Sequence, residues 1–215
     1  MTESPPKFRR EPAEKRKETL IFATLSLIAE QGVQGATVRA IAERAEVTQG
    51  LIRYHFSSKE DLISAAYEHH MNHMNDLTVA PAAVPDISCR ARLVAVIEAG
   101  LMPPVVDPRS VALWAGCINM VREDARMHDI HQQTYRDFCD RLEVLIGAAL
   151  DEAKIGTTAP QLRRLGIACN AVIDGLWRAG CALPSAFKPG ELPQIGLKSI
   201  GAIIGMDLEM TKDHS

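Results

Sequence analysis

Apolar positions recur along almost the whole chain at helical steps, and nowhere do they alternate as a half-buried strand requires. Leu20, Ile21, Thr24, Leu25 and Ile28 form one stripe between Pro12, suited to a first helical turn, and Gly32. After a break at Gly35, Thr37 is placed to cap a short second helix with Val38, Ile41, Ala42 and Ala45 inward. Thr48 is placed to cap a third helix that reaches about His55. Ser57 and Glu60 have capping-box spacing and open a longer helix carrying Leu62, Ala66, Tyr67, His70, Met71, Met74 and Leu77. The Pro/Ala stretch at 78–86 then interrupts the pattern and marks a candidate boundary. Beyond it, helices are expected at 87–101, 108–122 (Asp107 as N-cap, Pro108 at N1), 126–154, 160–181 and 190–207. The pattern predicts an all-α chain of about nine helices without internal repeats. Its expected domains are a three-helix N-terminal unit at 1–57 and a helical C-terminal unit at 58–215.

Composition adds few restrictions. With 47% hydrophobic and 24% charged residues, the 215-residue chain has the material for a sizeable core, so disorder is not expected. The net charge of −3 argues against indiscriminate nucleic-acid binding, but it is unevenly spread. Residues 1–60 carry ten Lys/Arg against eight Asp/Glu and the remainder fourteen against nineteen, so the N-terminal end is the positive one. Residues 1–11, with Lys7, Arg9 and Arg10, read as a basic arm. The five cysteines are odd in number and form no Cys-x-x-Cys, which indicates neither a disulfide framework nor a zinc site. No apolar leader or membrane-length apolar run is present, and a cytoplasmic location is the expectation.

The stretch at 37–62 carries the most specific chemistry. Two short helices joined by a tight turn form a helix-turn-helix, whose second helix lies in the major groove of DNA. Thr48 and Gln49 open that helix, Gly50 lets the backbone come close, and Arg53 lies one turn on. One face therefore presents hydroxyl, amide and guanidinium groups to base edges. Leu51, Ile52 and Phe56 on the other side are apolar and expected to pack inward. Tyr54, His55 and Lys59 suit phosphate, Lys59 because it sits in a first helical turn whose N–H groups also favour an anion. Short helix pairs also occur in helical proteins that never meet DNA, so periodicity alone leaves both readings open.

At Thr37, Ile41, Ala42, Ala45, Val47, Gly50, Phe56, Lys59 and Leu62 the chain resembles the TetR family of bacterial repressors, over about residues 15–65. It departs from the family pattern in two places. Glu46 stands where the turn residue is usually glycine, and Arg53 stands where tyrosine is frequent, with Tyr54 beside it. The segment Ile173–Asp174–Gly175–Leu176–Trp177–Arg178, together with the surroundings of Trp114 and Tyr135, resembles the BetI subgroup of choline- and betaine-pathway repressors. The resemblance implies a DNA-binding repressor that acts as a homodimer on a palindromic operator and responds to a small-molecule effector, with no membrane partner and no cofactor.

Within the C-terminal unit the candidate effector residues are Trp114, Cys117, Met120, Tyr135, Asn170, Asp174 and Trp177. The two tryptophans near Asp174 could hold a quaternary ammonium such as choline by cation–π and charge attraction, and they fit an ordinary core equally well. His69 and His73 have a metal-binding i, i+4 spacing, but no third ligand is evident and no metal is expected. Small residues such as Gly166, Ala168, Ala171, Gly175, Gly196, Gly201, Ala202 and Gly205 allow close helix approach, and by the resemblance the last two helices form a four-helix dimer interface. Two rival classes remain at this stage. A helical enzyme finds no nucleophile–base set or phosphate loop to support it. An interaction module that has lost DNA binding is suggested by Glu46 and the acidic total.

Overall fold

The computed structural model describes residues 13–209, so the basic arm at 1–11 and Pro12 lie outside the described residues. The described chain is helical and divides into two compact units, Met1–Ala66 and Tyr67–Ser215.

In the first unit, α1 (Ala13–Gly35) buries Leu20, Ile21, Ala23, Thr24, Leu27 and Ile28 along its expected stripe. Its backbone leaves the helical region at Gly32 (φ 71°, ψ 175°), where the apolar stripe ends and glycine tolerates a positive φ, and the element closes at Gly35, at the expected break. α2 (Val38–Arg44) packs on α1 and starts at Thr37, whose hydroxyl accepts the Ala40 N–H at 3.1 Å. α2 and α3 (Gln49–His55) are seven residues each, and Ala45, expected on the inward face of α2, is its C-cap. The reason lies in how α2 stops. The Val47 N–H donates to the Ala42 carbonyl (3.0 Å) and the Glu46 N–H to the Glu43 carbonyl (3.3 Å), a Schellman ending with Glu46 at φ 54°. This is the position that favours glycine, and here it is occupied by a side chain that pays for the left-handed backbone.

The boundary between the units falls inside α4 (Lys59–Val79), nine residues beyond the 1–57 limit expected from the sequence. Leu62, Ile63, Ala65 and Ala66, in the first turns of α4, are buried. The segment at 78–86 lies wholly within the second unit. α4 runs through Thr78, and a 3-10 turn at Ala80–Ala83 follows it and packs on α5 (Cys89–Gly100), held by Arg92 donating to the Ala82 carbonyl.

The rest of the second unit consists of α6 (Pro108–Ile118), the single turn α7 (Met120–Glu123), α8 (Ala125–Glu152), α9 (Ala159–Ala182) and α10 (Glu191–Ile204). α6 and α7 together cover the helix expected at 108–122, and its hydrogen bonding is interrupted at Asn119, whose backbone stays helical (φ −66°, ψ −32°). Taken as one interrupted element, they leave nine helices among the described residues. α8 packs on both α5 and α9, and α10 covers α5 and α9. Between them Leu93, Ile97, Leu142, Ile146, Cys169 and Ile200 are almost fully buried. At Gly180 and Gly196 a Cβ would press on the ends of the Leu192 and Leu101 side chains, which fill the space the glycines leave. Gly166, Gly196 and Gly201 are buried within the chain itself, where they serve close helix approach. Ala171, Gly175, Ala202 and Gly205 remain exposed.

Candidate functional site

On α3 the polar groups share the outer side. Gln49, Gly50, Arg53 and Tyr54 are exposed, Tyr54 by 79%, whereas Ile52 and Phe56 are buried and Leu51 is half-buried. Thr48 holds the N-cap position in extended backbone, yet its hydroxyl caps nothing. That hydroxyl therefore stands beside Gln49 as a further polar group at the helix start. A Cβ at Gly50 would meet only the Thr48 hydroxyl, at 3.8 Å, so packing does not demand glycine there. Arg39 and Arg44 are tied to Glu43 and Glu30 at 2.9 and 2.7 Å, while no described carboxylate pairs with Arg53. The Tyr54 and His55 rings meet edge to face at 5.0 Å.

Lys59 is the first residue of α4 and is half-buried. The cap of this helix differs from the expected Ser57–Glu60 pair. The Asp61 N–H donates to the Ser58 hydroxyl (2.9 Å), and the Asp61 carboxylate accepts the Ser57 N–H and hydroxyl (3.0 Å each). The box is displaced by one residue because Ser58, not Ser57, immediately precedes the helix. An acidic residue three positions on then serves as Glu60 was expected to.

The second unit encloses a cavity of about 230 Å³. Trp114 on α6, Tyr135 on α8, and Asn170, Asp174 and Trp177 on α9 all line it. Cys117 and Met120 do not. Cys117 is 1% exposed and turned into the packing, where burial pushes its thiol up to about 12, and Met120 lies beyond the interruption at Asn119. Residues the sequence reading missed complete the wall: His131, Thr134 and Phe138 flank Tyr135 on α8, and α4 contributes His70, Met74 and Asn75. Both sets have a helical signal. Positions 131, 134, 135 and 138 form one stripe, as do 70, 71, 74, 75 and 78, and each mixes polar with apolar side chains.

The polar groups of this cavity are held in place. The Trp177 indole N–H donates to the Val105 carbonyl at 2.9 Å, fixing the ring. The Tyr67 hydroxyl and His131 Nδ1 lie 2.8 Å apart, a part-buried link between α4 and α8. Burial, foremost, holds His131 below the ordinary imidazole value, against the pull of Asp174. Burial also takes His70 down to about 4, with His73 and His69 acting in the same direction. Asp174 is raised by burial despite Arg178, whose guanidinium meets its carboxylate at 2.9 Å. The same guanidinium lies 5.4 Å from the centre of the Trp114 ring.

The His69 and His73 rings stack 6.4 Å apart, and no group of three His, Cys, Asp or Glu gathers around a metal-sized site among the described residues. Nor is any described helix long and apolar enough to cross a membrane.

A helix-turn-helix unit joined to a helical unit with its own cavity defines the class of transcriptional regulators. Residues 20–66 match the family described as bacterial regulatory proteins of the tetR family, and residues 89–205 match the C-terminal region of BetI-type transcriptional repressors. The chain belongs to the TetR family, with a C-terminal region of the BetI type. It is 27% identical over 174 residues to the HTH-type transcriptional regulator BetI of Burkholderia thailandensis, covering 81% of this chain and 86% of that one. It is 28% identical over 191 residues to BetI 2 of Chromohalobacter salexigens, covering 86% of each. Its fold is similar to a transcriptional-regulator structure from Pseudomonas aeruginosa PAO1, with TM-score 0.82, 27% identity and coverage of 93% and 95%. It is also similar in fold to a Saccharomonospora viridis regulator in complex with choline, with TM-score 0.68, 19% identity and coverage of 89% and 96%. Regulators of this family bind DNA operators and small-molecule effectors.

Proposed function

We propose that the chain is a repressor that leaves its operator when a compact organic cation of the choline type enters the cavity of the second unit. The observation that carries the reading is the convergence of Trp114, Trp177 and the Asp174 carboxylate on one cavity of about 230 Å³. Aromatic faces attract a cation that offers no hydrogen-bond donors, and a partly buried carboxylate supplies the opposing charge. Asn170, Thr134 and Tyr135 stand ready for a hydroxyl on the same ligand. The choline held by the Saccharomonospora viridis regulator is in keeping with this chemistry.

The operator is read by Thr48, Gln49, Gly50 and Arg53 at base edges, while Thr37, Tyr54, His55 and Lys59 meet phosphates. The exposed polar side of α3, where no described carboxylate pairs with Arg53, supports that division. Two copies pair through α9 and α10. Ile167, Ala171 and Gly175 form an exposed low-relief stripe on α9, and Ile195, Ala202 and Ile203 form one on α10, a surface a monomer would leave wet. A twofold dimer sets its two α3 helices roughly 34 to 36 Å apart, the spacing of successive major grooves. Since α4 contributes to the cavity wall, a ligand that prefers a different setting of α4 changes that spacing and releases DNA.

The test is to select binding sites from random double-stranded DNA with the purified protein, then titrate choline chloride into the complex. A palindromic site released by millimolar or lower choline is the expected result. A folded protein that enriches no sequence would overturn the operator reading, and an operator complex indifferent to choline would overturn the effector reading.

A further inference from the structure

The cavity already contains a cation of its own. Arg178 lies one helical turn beyond Asp174 on α9, with its guanidinium nitrogen 2.9 Å from the carboxylate and its central carbon 5.4 Å from the Trp114 ring centre on α6. These are the two attractions that an organic cation would use. A guanidinium is planar and weakly hydrated, so it suits the face of an indole as well as a carboxylate. Among the residues lining the cavity, Asp174 and Arg178 are the only carboxylate and the only guanidinium or ammonium, so their pair leaves no uncompensated negative charge. The lining histidines add no positive charge near neutral pH, since burial holds both His70 and His131 low.

We infer that Arg178 is a resident surrogate for the effector, and that an entering organic cation binds by displacing its guanidinium from Asp174 and Trp114. The inference rests on the cation reading above and adds a competitor to it. Arg178 is placed to leave, because both members of the pair keep about two-fifths of their side-chain surface exposed (42% and 40%) and a long side chain can swing its head to water. Affinity is then a difference between two cations on one site, which favours a ligand that fills the aromatic space better than a guanidinium does.

The experiment titrates choline chloride into the full-length dimer, wild type and variants, reading the fluorescence of Trp114 and Trp177, the only two tryptophans. Arg178→Gln is expected to bind choline about tenfold more tightly, the combined worth of a partly exposed ion pair and one cation–π contact. Arg178→Lys, which keeps the charge but not the planar stack, should fall between. The decisive reading is a double-mutant cycle. Asp174→Asn should weaken choline binding more in the Arg178→Gln background than in the wild type, by about threefold, the ion pair's share of the tenfold, because the carboxylate is then fully available to the ligand. A merely structural Arg178 would give a cycle without that coupling. If wild type binds choline and Arg178→Gln binds it equally or less tightly, the surrogate is overturned and the cation reading stands. If neither binds choline, both fall.

Discussion

The two candidate sites differ in how far they are assembled across the chain. The outer face of α3 comes from one seven-residue helix and its cap, a stretch continuous in sequence, and its functional candidates Gln49, Arg53 and Tyr54 are exposed. The cavity draws on α4, α6, α8 and α9, with more than a hundred residues between His70 and Trp177, and its walls are also the supports of the second unit. A site that is local can change its chemistry without disturbing the fold. A site assembled from packed helices cannot, and substitutions there should register as lost stability as well as lost binding.

The largest effect expected from this difference is at Trp177. Trp177→Ala removes a half-buried ring and leaves the Val105 carbonyl without its donor, and should cost about 2 to 4 kcal/mol in urea denaturation along with choline binding. Trp177→Phe keeps most of the ring and should cost about 1 kcal/mol. A Trp177→Ala protein with unchanged stability would show that the cavity wall carries no structural load, and the contrast with α3 would vanish.

Arg53→Ala tests the other side. Operator affinity should fall about 10- to 100-fold, while the urea midpoint moves by less than about 0.5 kcal/mol in equivalent stability. Lys59→Ala should weaken all sequences alike and reduce the slope of log affinity against log salt by about one. If Arg53→Ala loses stability together with affinity, the α3 face is not independent of its support.

The same difference explains what could be read from the sequence. The helix-turn-helix was legible because its caps, its turn and its outward residues fall within 26 positions, so spacing alone assigns faces. Helices of the second unit were legible too, through their apolar stripes and through Asp107 at the start of α6. The cavity was legible only where aromatic and polar residues were conspicuous, as at Trp114, Tyr135 and Trp177. Cys117 shares a face of α6 with Trp114, one turn apart, but it is 1% exposed while Trp114 is half-buried, and how deep each position on a shared face sits is set by neighbouring helices that the local pattern does not record. His131 and the α4 residues were missed because which stripe of a helix faces a cavity depends on where its neighbours sit, and no local pattern records that. The unit boundary within α4 was hidden for the same reason: the helical pattern runs unbroken through Ala66 and Tyr67.

A titration within the cavity unit sharpens the comparison further. The folded state holds His70 at about 4, below the 6.5 of an unfolded imidazole, so between those values the unfolded chain binds more protons. The neutral histidine's contribution is therefore fully present above pH 6.5 and is lost as pH falls toward about 4. It amounts to on the order of 2 kcal/mol. His70→Gln cannot titrate, so its stability curve between pH 7 and 4.5 should be flatter than that of the wild type by about this amount. Parallel curves would show that His70 protonates in the folded state as easily as in the unfolded one.

The smallest expected effect is at the one place where the local unit departs from its own rules. Glu46 sits at φ 54° in the Schellman ending of α2, where a side chain costs about 1 to 2 kcal/mol over glycine. Glycine relieves that cost but brings more freedom to the unfolded chain, worth about 0.5 to 1 kcal/mol in the other direction. Glu46→Gly should therefore stabilise the protein by about 0.5 kcal/mol, measured by urea denaturation. Asparagine, which accepts the left-handed region without glycine's flexibility, should match or exceed it. Removing the charge also matters for DNA, so Glu46→Gln separates the two effects, since it keeps the strained backbone and loses only the carboxylate. Tighter operator binding in Glu46→Gln and Glu46→Gly alike would assign the residue's influence to its negative charge beside the DNA-facing helix. Tighter binding in Glu46→Gly alone would assign it to the turn, which sets the angle at which α3 leaves α2.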